Sequence, residues 1–285
     1  MNSFYVSDLD GTLLRNDATL SGFSEAALRE MLAGGLLFTV ASARSVVSMQ
    51  GILRGLPLRL PVIEFNGAFL SDLASGRHET VNALAPSVAE SVYAQVLQHN
   101  MVPFVSSFDG AEDRVHYTAA TNAGMHWYLE DRRRHRDRRW QGVSSDLAAA
   151  LREQVVCLTV VAEESPLAEL QAAVLSAHGG AVETHLFENQ YSPNWYWLTV
   201  HDRRATKDQA IRILAQRYGL TGSESVVFGD QSNDLKMFQT ADRAVAVSNA
   251  TEELKRHADV IIGSNESDSV VKFIQLDRTR EDRVY

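Results

Sequence analysis

The chain has 285 residues, of which 45% are hydrophobic and 22% are charged, and its formal net charge is -9 at pH 7. This composition is that of a globular protein with room for one large domain or two of moderate size. The acidic balance argues against broad electrostatic attraction to nucleic acid or to an anionic membrane surface. A single cysteine, Cys157, excludes an internal disulfide framework and a zinc site built from cysteines.

The sequence also carries no pattern that is typical of export or membrane insertion. Its first residues lack a basic segment followed by a long apolar stretch, and no run of about 18 apolar residues follows anywhere. We therefore expect a cytoplasmic protein that has neither nucleic acid nor a membrane among its partners. The oligomeric state is not readable from the sequence.

The first 80 residues alternate short apolar runs with helical patterns. In chain order these are "FYVSDLDG", a helix over about residues 24–32, "GLLFTVASAR", a second helix and "LPVIEFNGAFL". Such alternation is typical of parallel βαβ units. The segment "FLSDLASGRHETV" that follows predicts a hairpin with Ser75 and Gly76 near its turn.

The middle of the chain has a different character. Amphipathic helices in "SVAESVYAQVLQHN" and "SPLAELQAAVLSAHGG" are interleaved with strands in "VPFVSSF", "QVVCLTVVAE" and "AVETHLFE". Cys157 lies in the second of these strands, where its apolar surroundings predict burial. This mixture predicts an inserted α+β unit.

The alternating pattern resumes with "YWLTVHD" and runs to a final helix near "DSVVKFIQL", before a polar tail "RTREDRVY". We therefore predict an α/β fold in two parts. Residues 1–83 and 195–285 would form a doubly wound, Rossmann-like parallel sheet, and residues 84–194 would form the inserted α+β unit.

Polar side chains follow several of the predicted parallel strands, where ligands bind in such sheets. Asp8 and Asp10 end the first strand and, two residues apart, point to the same side. Ser42 and Arg44 end the second strand with a hydroxyl and a guanidinium that suit an anion with several oxygens. The other candidates, at strand ends and helix starts, are Asn66, Lys207, Asp230, Asn233 and Asp234.

Carboxylates beside cationic and neutral donors are what a hard divalent cation bound together with a phosphate requires, and Mg²⁺ prefers such oxygen ligands. With Asp8 and Asp230 as ligands, the cation would screen their repulsion, and Lys207 would neutralise part of the remaining charge. Asp8 could then attack phosphorus, while Asp10 exchanges a proton with the leaving group and later with water.

These residues fall in motifs that resemble a known family. "DLDGTLL" resembles the first motif of the haloacid dehalogenase (HAD) superfamily of phosphatases, and "ASAR" is similar to the second, usually written with Thr-Gly where this chain has Ser42 and Ala43. Lys207 in "RRATKDQA" matches the third motif and "GDQSNDLKMF" the fourth. "FNGA" and "NESDSVVKFI" resemble the Cof-type branch, which has a large C2-type cap inserted after the third strand.

The resemblance covers nearly the whole chain and implies a Mg²⁺-dependent phosphohydrolase that passes through an aspartyl-phosphate. Asp8 would be both nucleophile and metal ligand. Asp10 would be the acid/base and would also bind the metal through its backbone carbonyl. The implied substrate is a small phosphomonoester, such as a sugar phosphate or a similar metabolite, and the cap would close over the site and select it.

The resemblance implies further roles for the other candidates. Ser42 and Lys207 would hold the phosphoryl group, and Asp230 would complete the protein ligands of the metal. The supporting residues would be Asn233 and Asp234, next to the phosphate and the metal waters, and Arg44 and Asn66, as neighbours of the site.

Two positions depart from the family pattern. Asp208 replaces the glycine that commonly follows the lysine, and Ala43 replaces the usual glycine of the second motif. The resemblance implies that both are positions where the backbone contacts the site.

Other functions would use the same core. A phosphomutase or phosphotransferase would share every core residue, and a non-catalytic regulator that binds a phosphorylated ligand would keep the fold without turnover. A dehalogenase is disfavoured, because it has no use for the second aspartate and the metal pair.

Several features outside the motifs receive structural interpretations. The run "RRRHRDRR", Arg132 to Arg139, is expected to be a solvated helix face or loop rather than a receptor for a second phosphate. The histidines show no metal-ligand spacing. We expect structural or surface roles for His126, His185 and His201, and hinge or core packing for Trp195 and Tyr196.

Overall fold

The computed structural model describes residues 3–134, 137–143, 147–189 and 191–281, without the side chains of residues 140–142, 280 and 281. The chain divides into two compact units. Residues 1–80 and 206–285 form the first, called the core unit here, and residues 81–205 form the second, called the inserted unit.

The structure has strands and helices in the following order. The strands are β1 (Ser3–Ser7), β2 (Leu37–Val40), β3 (Val62–Glu64), β4 (Phe69–Ser71), β5 (His78–Val81), β6 (Pro103–Phe108), β7 (Asp113–Tyr117), β8 (Trp140–Val143), β9 (Gln154–Ala162), β10 (Val182–Glu188), β11 (Tyr196–Asp202), β12 (Glu224–Gly229), β13 (Arg243–Val247) and β14 (Val260–Ile262). The helices are α1 (Gly22–Ala33), α2 (Val46–Ile52), α3 (Pro86–Gln98), α4 (Ala123–Arg134), α5 (Glu164–His178), α6 (Lys207–Arg217), α7 (Leu235–Thr240), α8 (Glu252–Lys255) and α9 (Ser269–Glu281).

The core unit is built on a parallel sheet of order β14-β13-β12-β1-β2. Every residue of β1 is buried, as expected for a strand covered on both faces. Tyr5 donates a hydrogen bond to Asp277 of α9, 3.0 Å away, whereas Phe4 lies with Ile211 of α6 and Met237 of α7 around one small cavity. Because successive strand residues point to opposite faces, helices cover both sides of the sheet. The predicted doubly wound α/β fold is confirmed.

The third predicted strand, β3, joins the parallel sheet only through a single bridge between Ala41 and Ile63. It otherwise pairs antiparallel with β4, in a small sheet of order β3-β4-β5. The predicted hairpin is confirmed between β4 and β5. Gly76 lies in its turn with a φ of 72°, a left-handed conformation that glycine adopts without steric cost.

The end of the chain differs from the predicted polar tail. Helix α9 continues through "RTRE", and residues 282–285 lie outside the described residues. Asp277 within α9 accepts hydrogen bonds from Tyr5 and from both terminal nitrogens of Arg243. These contacts with β1 and β13 hold the second half of α9 against the sheet, which the polar sequence does not reveal.

The inserted unit contains a sheet of order β10-β11-β9-β6-β7-β8, antiparallel except for the β7-β8 pair. Helices α3 and α5 pack on it around a buried aliphatic cluster that includes Val92, Leu158 and Leu170. Helix α4 packs through a separate aromatic cluster that includes Phe104 and Tyr128. The sheet is therefore covered by apolar contacts on two sides.

The second predicted domain boundary is displaced by β11. The segment "YWLTVHD" was expected to return the chain to the core sheet, but it pairs antiparallel with β9 and β10 inside the inserted unit. Six of its seven residues are buried, so its apolar character resembles that of a parallel core strand. The units meet at residues 80/81 and 205/206, where residues 83/84 and 194/195 had been expected.

The described residues of the basic run do not form one continuous surface. Arg132 lies in the last turn of α4 with its guanidinium 4.7 Å from the centre of the Tyr128 ring, while Arg133 and Arg134 are exposed. Arg139 is buried and donates two hydrogen bonds to Asp137. His135 and Arg136 lie outside the described residues. The expectation of a solvated face therefore holds for the exposed arginines and not for Arg139.

Helix lengths also bear on membrane insertion. In the part of the chain that the structure describes, none of the helices is both long enough and apolar enough to cross a bilayer.

Cys157 is buried in β9, as predicted, and its neighbour across the sheet is a buried histidine. The His201 ring lies with Nε2 3.7 Å from the Cys157 sulfur and Nδ1 3.1 Å from the Val156 carbonyl oxygen. Burial lowers the pKa of His201 from 6.5 to about 4, although the bond to Val156 opposes the shift, and burial raises the pKa of Cys157 to about 12. Both groups are neutral at pH 7, in line with a structural role.

His201 makes the stability of the inserted unit depend on pH. Below pH 6.5 the unfolded chain binds a proton on His201 that the folded chain does not bind until about pH 4. The free energy of unfolding should therefore fall as pH decreases through this window, by up to about 1.4 kcal/mol per pH unit from this group. All four tryptophans lie between residues 81 and 205, so tryptophan fluorescence during urea unfolding reports on this unit.

The matched control for this prediction is His201→Gln, which removes the titrating ring and keeps a polar side chain. Carboxylates also titrate below pH 6.5, so the informative quantity is the difference in pH slope between the two proteins. The variant should show the shallower slope. Equal slopes would contradict the prediction.

Candidate active site

Asp8 and Asp230 lie side by side at the carboxyl ends of adjacent strands. β1 pairs with β12, and the Asp8 amide continues this ladder by donating to the Phe228 carbonyl at 2.9 Å. After Asp8 the chain makes a tight turn over Leu9–Leu13, in which Gly11 has a φ of 73°. A Cβ on Gly11 would overlap the Asp230 carboxylate. Glycine is thus required here by both conformation and space.

Lys207 joins two buried carboxylates. Its ammonium donates to Asp8 Oδ1 at 2.8 Å and to Asp234 Oδ1 at 2.6 Å, and all three side chains are buried. The other Asp234 oxygen accepts hydrogen bonds from the backbone amides of Asp230 and Gln231, at 3.0 and 3.1 Å. Asp234 therefore fixes the loop after β12 and holds the lysine at once.

Burial dominates the electrostatics of this group. It raises the pKa of Asp8 well above its usual range, and repulsion from Asp234 and Asp230 adds to the shift against the opposing charge of Lys207. Burial also raises the pKa of Asp230 to about 7, with Asp234 contributing. Burial alone would lower the pKa of Lys207, but the charges of Asp234 and Asp8 outweigh it and raise that pKa.

The donor set fits a divalent cation. Asp8, Asp230 and Asp234 each offer a carboxylate oxygen, and these oxygens lie within 4.8 Å of one another. With all three ionised, Lys207 compensates only one of three negative charges in a buried volume. A dication would offset the remaining two, and carboxylate oxygens are ligands that Mg²⁺ prefers. Thr12 already orients Asp230, donating to its Oδ1 at 2.8 Å.

The segment after β3 positions the start of α6, where Lys207 lies. Phe65, Asn66 and Gly67 have φ values of 47°, 56° and 116°, three left-handed residues in succession. A Cβ on Gly67 would lie 2.6 Å from the Thr206 carbonyl oxygen. Glycine at this position lets the two backbones approach, directly before Lys207.

The same segment connects two predicted site residues. Asn233 donates to Asn66 Oδ1 at 3.1 Å, so the loop after β3 is tied to the loop after β12. The backbone amide of Asn66 in turn donates to the backbone carbonyl of Ser42 at 2.9 Å. Ser42, Asn66 and Asn233 therefore form a connected path across three strand ends.

Arg44 binds the carboxylate of Asp10. The sequence indicated only that its guanidinium suits an anion with several oxygens, and in the structure both Asp10 oxygens accept from it at 2.7 Å. Asp10 is less buried than Asp8, with 29% of its side chain exposed. The second carboxylate of "DLDGTLL" is thus bound at both oxygens by Arg44.

All of the predicted site residues lie in the core unit. Asp8, Lys207, Asp230 and Asp234 form one group, and the others connect to each other as pairs or through the backbone. Sequence reasoning assigned no role to Thr12 or to Asn249, whose side chain donates to the Gly11 carbonyl at 2.7 Å. Asn249 follows β13, so collecting polar residues after that strand as well would have found it.

The two departures from the family pattern have simple settings. Ala43 is exposed, and it is not one of the described residues with a positive φ, so the position needs no glycine here. Asp208 lies in the first turn of α6, where a carboxylate interacts favourably with the helix dipole, and Arg212 lies 3.7 Å from it.

Comparison with known proteins identifies the family of the chain. A family profile described as haloacid dehalogenase-like hydrolase matches residues 5–274. The chain belongs to this family. The resemblance inferred from "DLDGTLL" and the three later motifs is therefore confirmed.

Relatives of this haloacid dehalogenase-like hydrolase include named phosphatases. It is 24% identical over 275 residues to 5-amino-6-(5-phospho-D-ribitylamino)uracil phosphatase YitU of Bacillus subtilis strain 168, covering 94% of each chain. It is 25% identical over 273 residues to pyridoxal phosphate phosphatase YbhA of Escherichia coli K12, covering 94% of this chain and 95% of the relative. The prediction of an enzyme of the phosphatase type is confirmed.

A solved structure shares the fold. A haloacid dehalogenase-like hydrolase from Bacteroides thetaiotaomicron has a TM-score of 0.78 and 20% identity to this chain, covering 96% of this chain and 99% of that one. The α/β architecture with its insertion is therefore that of the haloacid dehalogenase-like hydrolases.

Proposed function

We propose that this protein is a Mg²⁺-dependent phosphatase that hydrolyses a small phosphomonoester through an aspartyl-phosphate on Asp8. The observation that carries the proposal is the buried group of Asp8, Asp230, Asp234 and Lys207, with three carboxylates around one ammonium. Such a group is suited to a dication and a phosphoryl anion bound together.

The metal would be held by the carboxylates of Asp8 and Asp230 and by the backbone carbonyl of Asp10. Asp234 would serve in support, because both its oxygens already accept hydrogen bonds from Lys207 and from backbone amides. When bound, the cation supplies positive charge that offsets the repulsion between carboxylates and favours the charge that develops on the phosphoryl group.

Asp8 would be the nucleophile. Lys207 donates to its Oδ1, so Oδ2 is the oxygen that attacks phosphorus as the bond to the leaving group breaks. Lys207 and the buried hydroxyl of Ser42 would hold the phosphoryl oxygens, with the amide of Asn233 nearby in support. Water would then attack the same phosphorus and release inorganic phosphate, which restores the Asp8 carboxylate.

Asp10 would be the general acid and base. It would give a proton to the leaving oxygen in the first step and take one from the attacking water in the second. Its place two residues after Asp8, with a more exposed side chain, suits a group that exchanges protons with the leaving group and with water. Two carboxylates of one short motif would thus perform different tasks.

We propose a small phosphorylated metabolite as substrate. The names of YitU and YbhA give phosphorylated small molecules as their substrates, and both relatives align over 94% of this chain. The inserted unit, residues 81–205, would act as the cap that selects among such substrates. The shared chemistry across relatives supports the class of substrate rather than one compound.

The proposal is tested by measuring phosphate release from a panel of small phosphomonoesters, with Mg²⁺ or with excess chelator. We expect release with Mg²⁺ and a loss of at least about 10²-fold with chelator, because the buried carboxylates then lack their counter-charge. Adding Mg²⁺ back should restore the rate. Undiminished release in chelator would contradict the metal requirement, and no release from folded, Mg²⁺-supplied protein would contradict the hydrolase itself.

A further inference from the structure

We propose that Arg44 is a positioning residue that holds the Asp10 carboxylate in its working orientation, rather than a ligand of the substrate phosphate. The inference rests on the proposed function, in which Asp10 exchanges protons with the leaving group. The family resemblance implies only that Arg44 is a neighbour of the site, so this positioning role is additional to it.

Each of the three nitrogens of the Arg44 guanidinium donates a hydrogen bond. Nε donates to Asp10 Oδ2 and one terminal nitrogen donates to Asp10 Oδ1, both at 2.7 Å. The other terminal nitrogen donates to the Ser48 hydroxyl of α2 at 3.1 Å. This two-point contact between two planar groups fixes the plane of the carboxylate as well as its position.

The backbone of Arg44 is also held at both ends. Its amide donates to the Ser42 hydroxyl oxygen at 3.1 Å, and its carbonyl accepts from the Phe65 amide at 3.2 Å. Ser45, the next residue, caps α2. Hydrogen bonds thus hold both the backbone and the guanidinium of Arg44, which restricts the positions that its side chain can adopt.

The arrangement leaves Asp10 able to act. A carboxylate offers about four lone-pair sites, and the two bonds from Arg44 use one on each oxygen. The bonds from Arg44 therefore do not by themselves use up the capacity of the carboxylate to exchange a proton with a leaving oxygen. Without Arg44 the carboxylate would lose this two-point contact, and a misplacement of about 1 Å in a reacting group can cost about 10²-fold in rate.

A role in binding phosphate would demand the opposite. Arg44 would have to break its two hydrogen bonds to Asp10 in order to bind phosphate. In the proposed function, Lys207 and Ser42 already bind the phosphoryl oxygens. The structure shows Arg44 committed to the carboxylate, with its third nitrogen on Ser48.

Substrates with different leaving groups distinguish positioning of Asp10 from binding of phosphate. An alkyl phosphate needs a proton on its departing oxygen, whereas p-nitrophenyl phosphate releases an anion that is stable without one. We would measure kcat/KM for both substrates, since this constant reports the steps up to the first departure. The variants are Arg44→Gln, Arg44→Lys and Ser48→Ala, with Arg29→Gln as a control that removes an exposed arginine elsewhere in the core unit.

For Arg44→Gln we expect kcat/KM to fall about 10- to 100-fold for the alkyl phosphate and several-fold less for p-nitrophenyl phosphate. Arg44→Lys should restore little, because an ammonium cannot span both oxygens. Ser48→Ala should lower kcat/KM less than Arg44→Gln does, and again more for the alkyl phosphate than for p-nitrophenyl phosphate. Arg29→Gln should change neither substrate.

Equal losses for both substrates, or a rise in KM alone that Arg44→Lys reverses, would overturn the positioning role in favour of phosphate binding. Unchanged kinetics in Arg44→Gln would overturn it as well. Asp10→Asn separates this failure from failure of the proposed function. If Asp10→Asn keeps full activity on the alkyl phosphate, the acid/base assignment itself is wrong; if it loses that activity while Arg44→Gln does not, only the inference about Arg44 fails.

Discussion

Asp8→Asn is expected to abolish phosphate release, by at least about 10⁴-fold, and to leave the fold intact. An amide is no nucleophile toward phosphorus, so the covalent step is lost. The same change lowers the excess charge of the buried group, because two carboxylates remain beside Lys207 instead of three. The variant should therefore unfold at a temperature equal to or above that of the unaltered protein.

The measurement pairs initial rates on the best substrate of the panel with thermal unfolding followed by circular dichroism. Both proteins should be compared in Mg²⁺ and in chelator, because a bound cation stabilises the folded state. Residual activity within about tenfold of the unaltered protein would show that Asp8 does not form the intermediate.

Lys207→Met is expected to lose activity and stability together. Methionine has a similar length but no charge, so Asp8 and Asp234 would each lose a buried ion pair of 2.8 or 2.6 Å. Breaking a buried pair by removing one partner typically costs about 3–5 kcal/mol. The phosphoryl group would also lose its cationic contact, and we expect kcat to fall by at least about 10²-fold.

The control for this variant is Lys236→Met, at an exposed lysine of α7. A surface substitution of this kind should change the free energy of unfolding by no more than about 0.5 kcal/mol. Urea unfolding followed by circular dichroism gives both values. If Lys207→Met is as stable as Lys236→Met, the ion pairs of Lys207 with Asp8 and Asp234 do not stabilise the fold, and our description of the buried charge is wrong.

The sequence predicted which carboxylates lie together better than it predicted which side chains bind one another. Asp8 and Asp230 were found because polar residues after parallel strands collect at one edge, a consequence of topology alone. The bond between Asp10 and Arg44 depends on how the turn over Leu9–Leu13 directs one side chain, and strand spacing carries no information on that. The sequence therefore indicated only that the guanidinium suits an anion with several oxygens.

The fold shows a similar limit at β11 and at α4. Strand β11 is apolar enough for a core sheet, and only its pairing with β9 and β10 assigns it to the inserted unit. Helix α4 ends in Arg132 to Arg134, so its amphipathic signal is weak and the run suggested only a charged face. The local pattern predicted that β11 is a strand. It did not predict which strands β11 pairs with, because tertiary packing determines that pairing.

The most direct test of the account is to find the phosphoryl group on the enzyme. The protein would be mixed with Mg²⁺ and its best substrate, quenched in acid during turnover, digested, and analysed by mass spectrometry. We predict a phosphorylated peptide that contains Asp8, and none from Asp8→Asn treated in the same way. Turnover without a labelled peptide, or a label on any other residue, would contradict an aspartyl-phosphate on Asp8.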